Sequence, residues 1–497
     1  MQWDVSLGRA VTHTLIVSGG AALLATLFAG ILSYGIYFAR IPFGRFFAGW
    51  ISSMLLIPVY VQATAWSAGF GIQGWLRLSQ VDAAKYPWWG IASAIWIHAM
   101  AALPACFLIL SHGWHRVRDG TFEQAWIELG PKFVAIRIIP RRLAPWLIGA
   151  FLWTFCMVQN DMVVTNLFQV PTLCESVYQQ VQFGKLRWGP IATACSIALS
   201  SGLLVALVLS RSQRNARSMG SASKENWDPV FTTGKGATWI MSILVWSIAT
   251  FTVALPWLGM MIRIGIESRM IDGQAVRGWS VNSFLSSLLH VQDYRIEIGW
   301  SCELVFWTSL LAMVLALGLI TWLPFRGGSA WVLGTMVFLL ALPGPIVNLC
   351  VSWLFNSAMP QSLQFLSDQT LLGPILALQT RCLPVAYGIL WLARSRFEAQ
   401  HEALLSMDRS LPMWLRIWVW FRYARVAILV SASACGMIAF GDLASYLLIQ
   451  PPGVTTVAMR MFELLHYGIR NREASLALLL SAIALLPSWW LASRIER

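Results

Sequence analysis

Charged side chains are scarce in this sequence: Asp, Glu, Lys and Arg make up 11% of its 497 residues. A soluble domain carries roughly 25% of such residues, so a chain this poor in charge could not keep a globular surface hydrated. Hydrophobic residues make up 57%, and the mean hydropathy is +0.64. Many apolar runs reach the about 20 residues that a helix needs to cross a bilayer. The composition therefore predicts an all-α polytopic membrane protein.

The sequence also lacks the usual motifs of catalytic and metal sites. The eight cysteines are scattered without a C-x-x-C pair, and the seven histidines show no ligand spacing. There is no P-loop, no H-E-x-x-H and no G-x-S-x-G in a strand–turn–helix setting. We therefore expect no catalytic residue, metal site or cofactor on this chain. We also expect no cleavable signal peptide, because the first apolar run is too long and no A-x-A-like site ends it.

The net charge of +13 comes from basic loops at the ends of apolar runs. Arg and Lys concentrate in alternate loops, as the positive-inside rule places them on the cytoplasmic side. This pattern predicts an N-terminus outside the membrane and a C-terminus in the cytoplasm. It favours contact with membrane lipid and gives no reason to expect a nucleic-acid partner.

Hydropathy predicts eleven membrane spans. They cover residues 12–38, 47–70, 87–111, 143–168, 188–210, 238–266, 299–324, 329–356, 371–393, 424–448 and 473–492. A polar segment rich in Ser and Gly, at 211–236, has the composition of a linker. The predicted division is a first repeat at 1–210, a cytoplasmic linker at 211–236, an intervening helix and outer loop at 237–297, and a second repeat at 298–497.

Three stretches of the first repeat match stretches of the second in the same order. Residues 12–30 align with 301–319, Gln124-Ala125-Trp126 with Glu402-Ala403-Leu404, Leu129 with Met407, and Asp161 with Asp442. Each repeat has five predicted spans, an odd number, so two parallel copies need one further helix between them. The span at 238–266 supplies that helix. The sequence thus predicts two parallel five-helix repeats plus one intervening helix.

Two loops on the predicted cytoplasmic side carry short amphipathic helices. In the first, residues 121–124 form a capping-box pattern, and Gly130 suits a helix stop. The apolar edge is formed by Ala125, Trp126 and Leu129 in the first loop, and by Ala403, Leu404 and Met407 in the second. Such an edge can lie on lipid, pack against its own bundle, or fit a groove on a soluble partner. Its occurrence at matching positions on one face favours a two-fold partner.

The two loops resemble the coupling loops of binding-protein-dependent ABC importer permeases, in which E-A-A is followed, after three residues, by Gly. The matching positions are Gln124, Ala125, Trp126, Leu129, Gly130, Glu402, Ala403, Leu404, Met407 and Asp408. Gln124 replaces the family's Glu, Trp126 its second Ala, and Asp408 its Gly. The segments that follow resemble fused, two-repeat permeases of the iron(III), thiamine and phosphonate type. That family's first half usually begins with a further helix, either lost here or omitted by the chosen start codon.

The resemblance implies a translocation subunit of a bacterial inner membrane, not an enzyme. Two copies of a cytoplasmic ABC ATPase, which would bind ATP and Mg²⁺, would dock on the two loops. A periplasmic or lipid-anchored solute-binding protein would deliver a small solute from outside, with iron(III) or a similar cation as the best match.

Two acids at matching positions, Asp161 and Asp442, follow basic loop residues by about 18–20 positions. That is about 27–30 Å along a helix, which places both acids near the outer edge of the membrane. Each acid either caps a local turn or lines the pathway of a cation. Two other acids near this face, Glu175 and Glu303, are expected to be solvated.

Two other functions are compatible with a polytopic chain. An ion-gradient-driven secondary transporter typically has broken helices and buried charges at mid-membrane, whereas these acids are predicted at the edge. A membrane-embedded enzyme should show clustered His, Asp or Glu at one interface, and the sequence shows no such cluster.

Overall fold

Helices dominate this chain because a bilayer offers no water to satisfy backbone N–H and C=O groups. The computed structural model describes residues 6–70, 88–117, 120–216, 235–271, 274–322, 329–358, 360–407, 413–466 and 471–495. We call residues 6–216 the first part and residues 295–495 the second part.

The described residues of the first part form nine helices. These are α1 (Leu7–Ser33), α2 (Gly44–Ser53), α3 (Val59–Phe70), α4 (Trp88–Val117), α5 (Gly120–Phe133), α6 (Ile139–Val158), α7 (Val163–Leu167), α8 (Leu173–Gln182) and α9 (Trp188–Ala216). Helix α9 therefore continues into the segment predicted as a linker, of which residues 217–234 lie outside the described residues.

The intervening segment contains helices and one small sheet. Its elements are α10 (Lys235–Ala249), α11 (Leu255–Gly265), β1 (Ile266–Ile271), β2 (Gln274–Trp279) and α12 (Val281–Leu289). The two strands pair antiparallel, with Ile271 opposite Gln274. This hairpin is a departure from the predicted all-α fold. The Asp272-Gly273 dipeptide in the sequence is typical of a two-residue hairpin turn, so the hairpin could have been predicted from it.

The described residues of the second part form eight helices. These are α13 (Arg295–Trp322), α14 (Ser329–Ala341), α15 (Gly344–Trp353), α16 (Gln361–Gln369), α17 (Leu372–Met407), α18 (Met413–Gly441), α19 (Val457–His466) and α20 (Asn471–Ile495).

Seven described helical stretches are long and apolar enough to cross a membrane. They cover Leu7–Phe38, Trp88–Trp114, Trp188–Leu207, Thr238–Gly265, Val281–Thr321, Leu372–Ser395 and Trp418–Gly441. An eighth candidate is the pair Ala330–Ala341 and Gly344–Ser357, which is bent by 97°. The chain is therefore a multi-pass helical membrane protein, while the count of eleven spans stays a prediction.

Two predicted spans, 47–70 and 329–356, are interrupted at proline. Helix α2 ends at Ser53, and Pro58 precedes the start of α3. Pro343 and Pro345 flank the first residue of α15. Proline has no N–H to donate and clashes with the preceding turn, so a continuous helix is disfavoured at both places. We call the junction of α2 and α3, at residues 54–58, the first helix break, and the junction of α14 and α15, at residues 342–343, the second helix break.

The last helix of each part packs against the broken helix of the other part. Helix α9 packs along α14, and α20 packs along α2 and α3. The α9–α14 crossing is so close that a Cβ atom at Gly202 would lie 2.6 Å from the carbonyl oxygen of Gly334. Small residues permit such close approach of helix backbones in membrane proteins. The two parts are therefore interlocked.

Candidate functional site

Two buried basic side chains lie opposite the two predicted acids. His98 on α4 places Nε2 3.5 Å from Asp161 Oδ2, and Arg381 on α17 places Nε 3.4 Å from Asp442 Oδ2. Both basic side chains are only 3% exposed. Sequence reasoning missed them, although an ionisable residue inside an apolar span is itself a signal of function. Each part thus pairs one acid with one buried base.

Each base lies well inside its helix. His98 and Arg381 each follow the first residue of their helix, Trp88 and Leu372, by about ten positions. At 1.5 Å per residue the pairs lie about 14–15 Å below the N-terminal ends of α4 and α17. Helices α6 and α18 end just before the acids, at Val158 and Gly441. The placement of the acids near the outer edge of the membrane stays a prediction.

Both acids also cap local turns. Asp161 Oδ2 accepts a hydrogen bond from the backbone N–H of Val164 at 3.0 Å, at the start of α7. Asp442 Oδ1 accepts one from the backbone N–H of Ser445 at 3.1 Å. The capping role that the sequence left open is therefore present in both parts. The role of the acids in a substrate pathway stays a prediction.

Arg381 connects the second helix break to its acid. Its guanidinium donates hydrogen bonds to the carbonyl oxygens of Leu339, at 3.1 Å, and Leu340, at 2.8 Å, and also to that of Leu342. These are carbonyls near the end of α14, where a helix has no partners of its own for them. A cation is also favoured at a helix C-terminus by the helix dipole. Arg381 therefore fixes the end of α14 against Asp442.

We call residues 159–162 the first acid loop and residues 442–446 the second acid loop. The first acid loop contacts the end of α14, beside the second helix break, through its first two residues. The two residues just before the second acid loop contact the first helix break and the start of α3. In the first acid loop, Gln159 Nε2 donates to the carbonyl oxygen of Ala341 at 3.1 Å. The amide of Asn160 donates to that of Leu340.

The reciprocal contact joins the first helix break to the end of α18. The hydroxyl of Tyr60 lies 3.5 Å from the carbonyl oxygen of Phe440. A Cβ atom at Gly441 would lie 3.1 Å from Pro58. The breaks and the acid loops therefore form one continuous interface between the two parts.

The two acid loops also meet each other at the centre of the interface. Met162, Cys174 and Ala444 pack in one buried cluster. Cys174 Sγ donates to the carbonyl oxygen of Asn160 at 3.1 Å, and Asn348 Nδ2 donates to that of Ala444 at 3.1 Å. Two carboxylates, a guanidinium and an imidazole are thus held around one packed interface. Carboxylates and an imidazole are groups that can bind a cation or a proton.

A second polar network joins the parts at the ends of α7, α8 and α19. His466 Nε2 lies 2.7 Å from Asn166 Oδ1, and Asn166 Nδ2 donates to Glu175 Oε1 at 2.7 Å. Gln179 Nε2 donates to the same carboxylate oxygen at 2.9 Å. The expectation that Glu175 is solvated was wrong, because this residue is only 4% exposed. Glu303 is exposed, as expected.

Glu175 should make stability depend on pH. Burial raises the pKa of its carboxyl above the ordinary value of 4.5, although hydrogen bonds from Asn166 and Gln179 oppose the rise. A folded-state pKa above the unfolded one means that this group stabilises the fold fully at low pH, and that the contribution is lost as pH rises through the raised pKa. We expect Glu175→Gln to flatten the fall of the unfolding midpoint between pH 4 and 8. Glu303→Gln, at an exposed residue, is the control. If the unfolding midpoint of Glu175→Gln falls with pH as steeply as that of the wild type, Glu175 is not the group responsible.

Helix α5 carries the first predicted docking loop. Gly130 has φ 79° and ψ 159°, so the expected helix stop at this residue is confirmed, although a second helical turn follows at once. Gln124 and Leu129 are exposed, whereas Ala125 and Trp126 are half-buried. The Trp126 ring lies 5.9 Å from that of Phe38 and 5.8 Å from that of Phe122, between ring centroids.

The exposed edge of α5 therefore differs from the predicted one. Trp126 holds the helix to its own bundle, while Ile127 and Leu129 are 78% and 51% exposed. In the second docking loop, Glu402, Ala403, Leu404 and Met407 belong to α17. Their side chains, and the whole of Asp408, lie outside the described residues.

Comparison of the chain with protein-family models, with curated proteins and with solved structures found no match. Within the described ranges, no group of three or more His, Cys, Asp or Glu side chains is placed to hold a metal ion.

Proposed function

We propose that this chain is the permease subunit of an ABC importer, with both membrane halves fused, in a bacterial inner membrane. The observation that supports this most is the recurrence, in each part, of a broken helix and of an acid loop paired with a buried base. An importer of this kind needs two pseudo-equivalent halves that close against each other. The exposed apolar edge of α5 supplies a surface for one of two cytoplasmic ATPases.

Matching contacts at the starts of α8 and α19 support two parallel repeats. The backbone N–H of Leu173 donates to Thr14 Oγ1 at 2.8 Å, and that of Val457 donates to Ser301 Oγ at 2.8 Å. These contacts match Thr14 with Ser301, which shifts the first aligned stretch by two residues. The residue before each helix start, Thr172 or Thr456, accepts a hydrogen bond from the N–H three positions on.

Long helices connect the proposed docking loops to the interface. Helix α17 runs unbroken from Leu372 through Arg381 to Met407. Arg381 and Ala403 are 22 residues apart in the sequence, or about 33 Å along this helix. A displacement of the docking end by closing ATPases would tilt α17 and move Arg381 against Asp442. Helix α4 would act in the same way on the first acid loop, because α5 follows it after two residues.

The proposed cargo is a small cation, with iron(III) as the best match. Once opening separates Asp161 and Asp442 from His98 and Arg381, two carboxylates would face the pathway between the parts. Carboxylate oxygens suit hard cations. A periplasmic or lipid-anchored binding protein would deliver the cargo, and the partner ATPases would bind ATP and Mg²⁺. In this proposal the N-terminus is outside and the C-terminus is cytoplasmic.

The docking edge can be tested by charge substitution. We expect Ile127→Asp with Leu129→Asp to abolish ATP-dependent uptake in vesicles and to remove the ATPase from the purified complex, because a carboxylate cannot enter an apolar groove without a large desolvation cost. Ile127→Val keeps the apolar edge and should retain both properties. An ATPase that stays bound to the double Asp variant would contradict docking through α5.

A secondary transporter driven by an ion gradient is the second candidate. It is favoured by the two helix breaks and by the buried charges beside them, which are typical of that class. Uptake in right-side-out vesicles separates the two functions. An importer of the ABC type needs ATP inside and no ion gradient, whereas a secondary transporter needs the gradient and works without ATP.

A further inference from the structure

The two acid–base pairs are chemically unequal, although they occupy matching places. A guanidinium is charged at every physiological pH, whereas an imidazole can be either neutral or charged. Asp442 therefore always faces a cation on Arg381. The partner of Asp161 is a group that can gain or lose a proton.

The contacts of the two bases differ as well. Arg381 has Asp442 and three backbone carbonyls as partners. His98 Nε2 lies within 3.5 Å of Asp161 Oδ2 but makes no hydrogen bond in the described structure. Besides the backbone N–H groups of Val163 and Val164, the imidazole lies within ion-pair distance of the Asp161 carboxylate. The state of this pair is therefore decided by its protons.

The unfavourable state of the pair is a carboxylate, 16% exposed, beside a neutral imidazole. A carboxylate without a counter-charge in a largely buried site is destabilising. One proton removes that cost, whether it lies on the imidazole or on the carboxyl. The Arg381–Asp442 pair has no such requirement.

The surrounding charges also favour a bound proton. The carboxylates of Asp442, in the second acid loop, and Glu175, on α8, disfavour a negative charge on Asp161. Cys174 on α8 lies near these acids and is also influenced by the charge of Arg381. The elements packed against α4 are α1, α2, α3, α6, α7, the π-helix Tyr34–Phe38 and the 3-10 helix Met54–Leu56. Their ionisable residues are Arg9, His13, Tyr34, Tyr37, Arg45, Tyr60, Arg141, Arg142 and Cys156.

The pair is attached to the contact between the two parts. Gln159 and Asn160, directly before Asp161, donate to the last carbonyls of α14. If Asp161 leaves His98 and becomes hydrated, the first acid loop loses the anchor that positions these two donors. Occupancy by a proton and closure of the interface are then linked equilibria.

We propose that His98 and Asp161 form a proton-binding site that is occupied while the two parts are closed against each other and is emptied when they part. The ligand is a single proton, and the second pair is its proton-independent counterpart. The inference does not depend on whether ATP or an ion gradient drives transport.

Hydrogen exchange of the full chain in lipid nanodiscs tests the site. Protection factors, corrected for the intrinsic pH dependence of exchange, are measured between pH 5 and 9 for residues 159–165. For one linked proton we expect protection to fall with rising pH by up to about tenfold per unit. Residues 305–320 of α13, which packs against α17 and α18 inside the second part, provide the control within the same molecule, and their protection should not change with pH.

Two variants decide the assignment. His98→Arg copies the second pair, and Asp161→Asn removes the charge; both should keep residues 159–165 protected at every pH. A flat profile in the wild-type protein would overturn the proposal, as would a wild-type slope that persists in both variants. Because two different substitutions are used, a folding defect in one of them does not decide the outcome.

Discussion

Arg381→Ala is expected to lower the free energy of unfolding by about 3–5 kcal/mol, which is typical for breaking a buried ion pair from one side. The substitution leaves Asp442 without its cation and deprives the carbonyls of Leu339, Leu340 and Leu342 of a donor. Equilibrium unfolding in mixed micelles measures the effect. Pulse labelling of buried thiols such as Cys382 reports the unfolded fraction, because that side chain is inaccessible in the folded protein.

Two controls separate the charge from the hydrogen bonds. Arg381→Lys keeps the charge but not the fork of donors, so it should lie between wild type and Arg381→Ala. The double variant Arg381→Ala with Asp442→Ala should cost less than the sum of the two single variants, because it leaves no unpaired carboxylate. Additive single effects would show that the two side chains are not coupled.

Hydropathy was sufficient to predict the class of fold. Long apolar runs such as 12–38 and 371–393 must form helices in a bilayer, and both were found as helices with similar bounds. Hydropathy is averaged over a window of residues, however, so it does not detect a helix break of only a few residues. Pro343-Gly344-Pro345 carries no charge and lowers a window average only slightly, so it was included in a continuous span, although proline chemistry indicated the break.

The candidate site was only half predicted. Asp161 and Asp442 were found because they precede polar loops and match each other in the repeat. His98 and Arg381 were missed because the charge pattern was used only to orient the loops, and a single base inside an apolar run changes a window average very little. Glu175 is hydrogen-bonded to Asn166, which in turn contacts His466, 300 residues away in the sequence. Local sequence does not encode that contact.

The hydrogen bonds between the acid loops and the helix breaks were out of reach for a similar reason. The donors Gln159 and Asn160 and their acceptors on α14 are about 180 residues apart in the sequence. Their meeting depends on how the two parts interlock, which no periodicity reveals. The alignment of the repeats predicted that the two halves are alike, but not which surfaces they present to each other.

Gly344→Ala is expected to disrupt the second acid loop. A Cβ atom here would lie 2.4 Å from the carbonyl carbon and oxygen of Ala444 and 2.8 Å from the backbone N of Ser445. These are backbone atoms that cannot rotate away, so the loop must shift and weaken the hydrogen bond from Ser445 to Asp442. We expect a loss of about 1–3 kcal/mol in unfolding free energy, as for overpacking elsewhere. Gly388→Ala on α17 meets nothing within 4 Å, so it should be neutral or slightly stabilising in the same unfolding measurement. Equal stability of the two variants would mean that α15 and the second acid loop are not in close contact in solution.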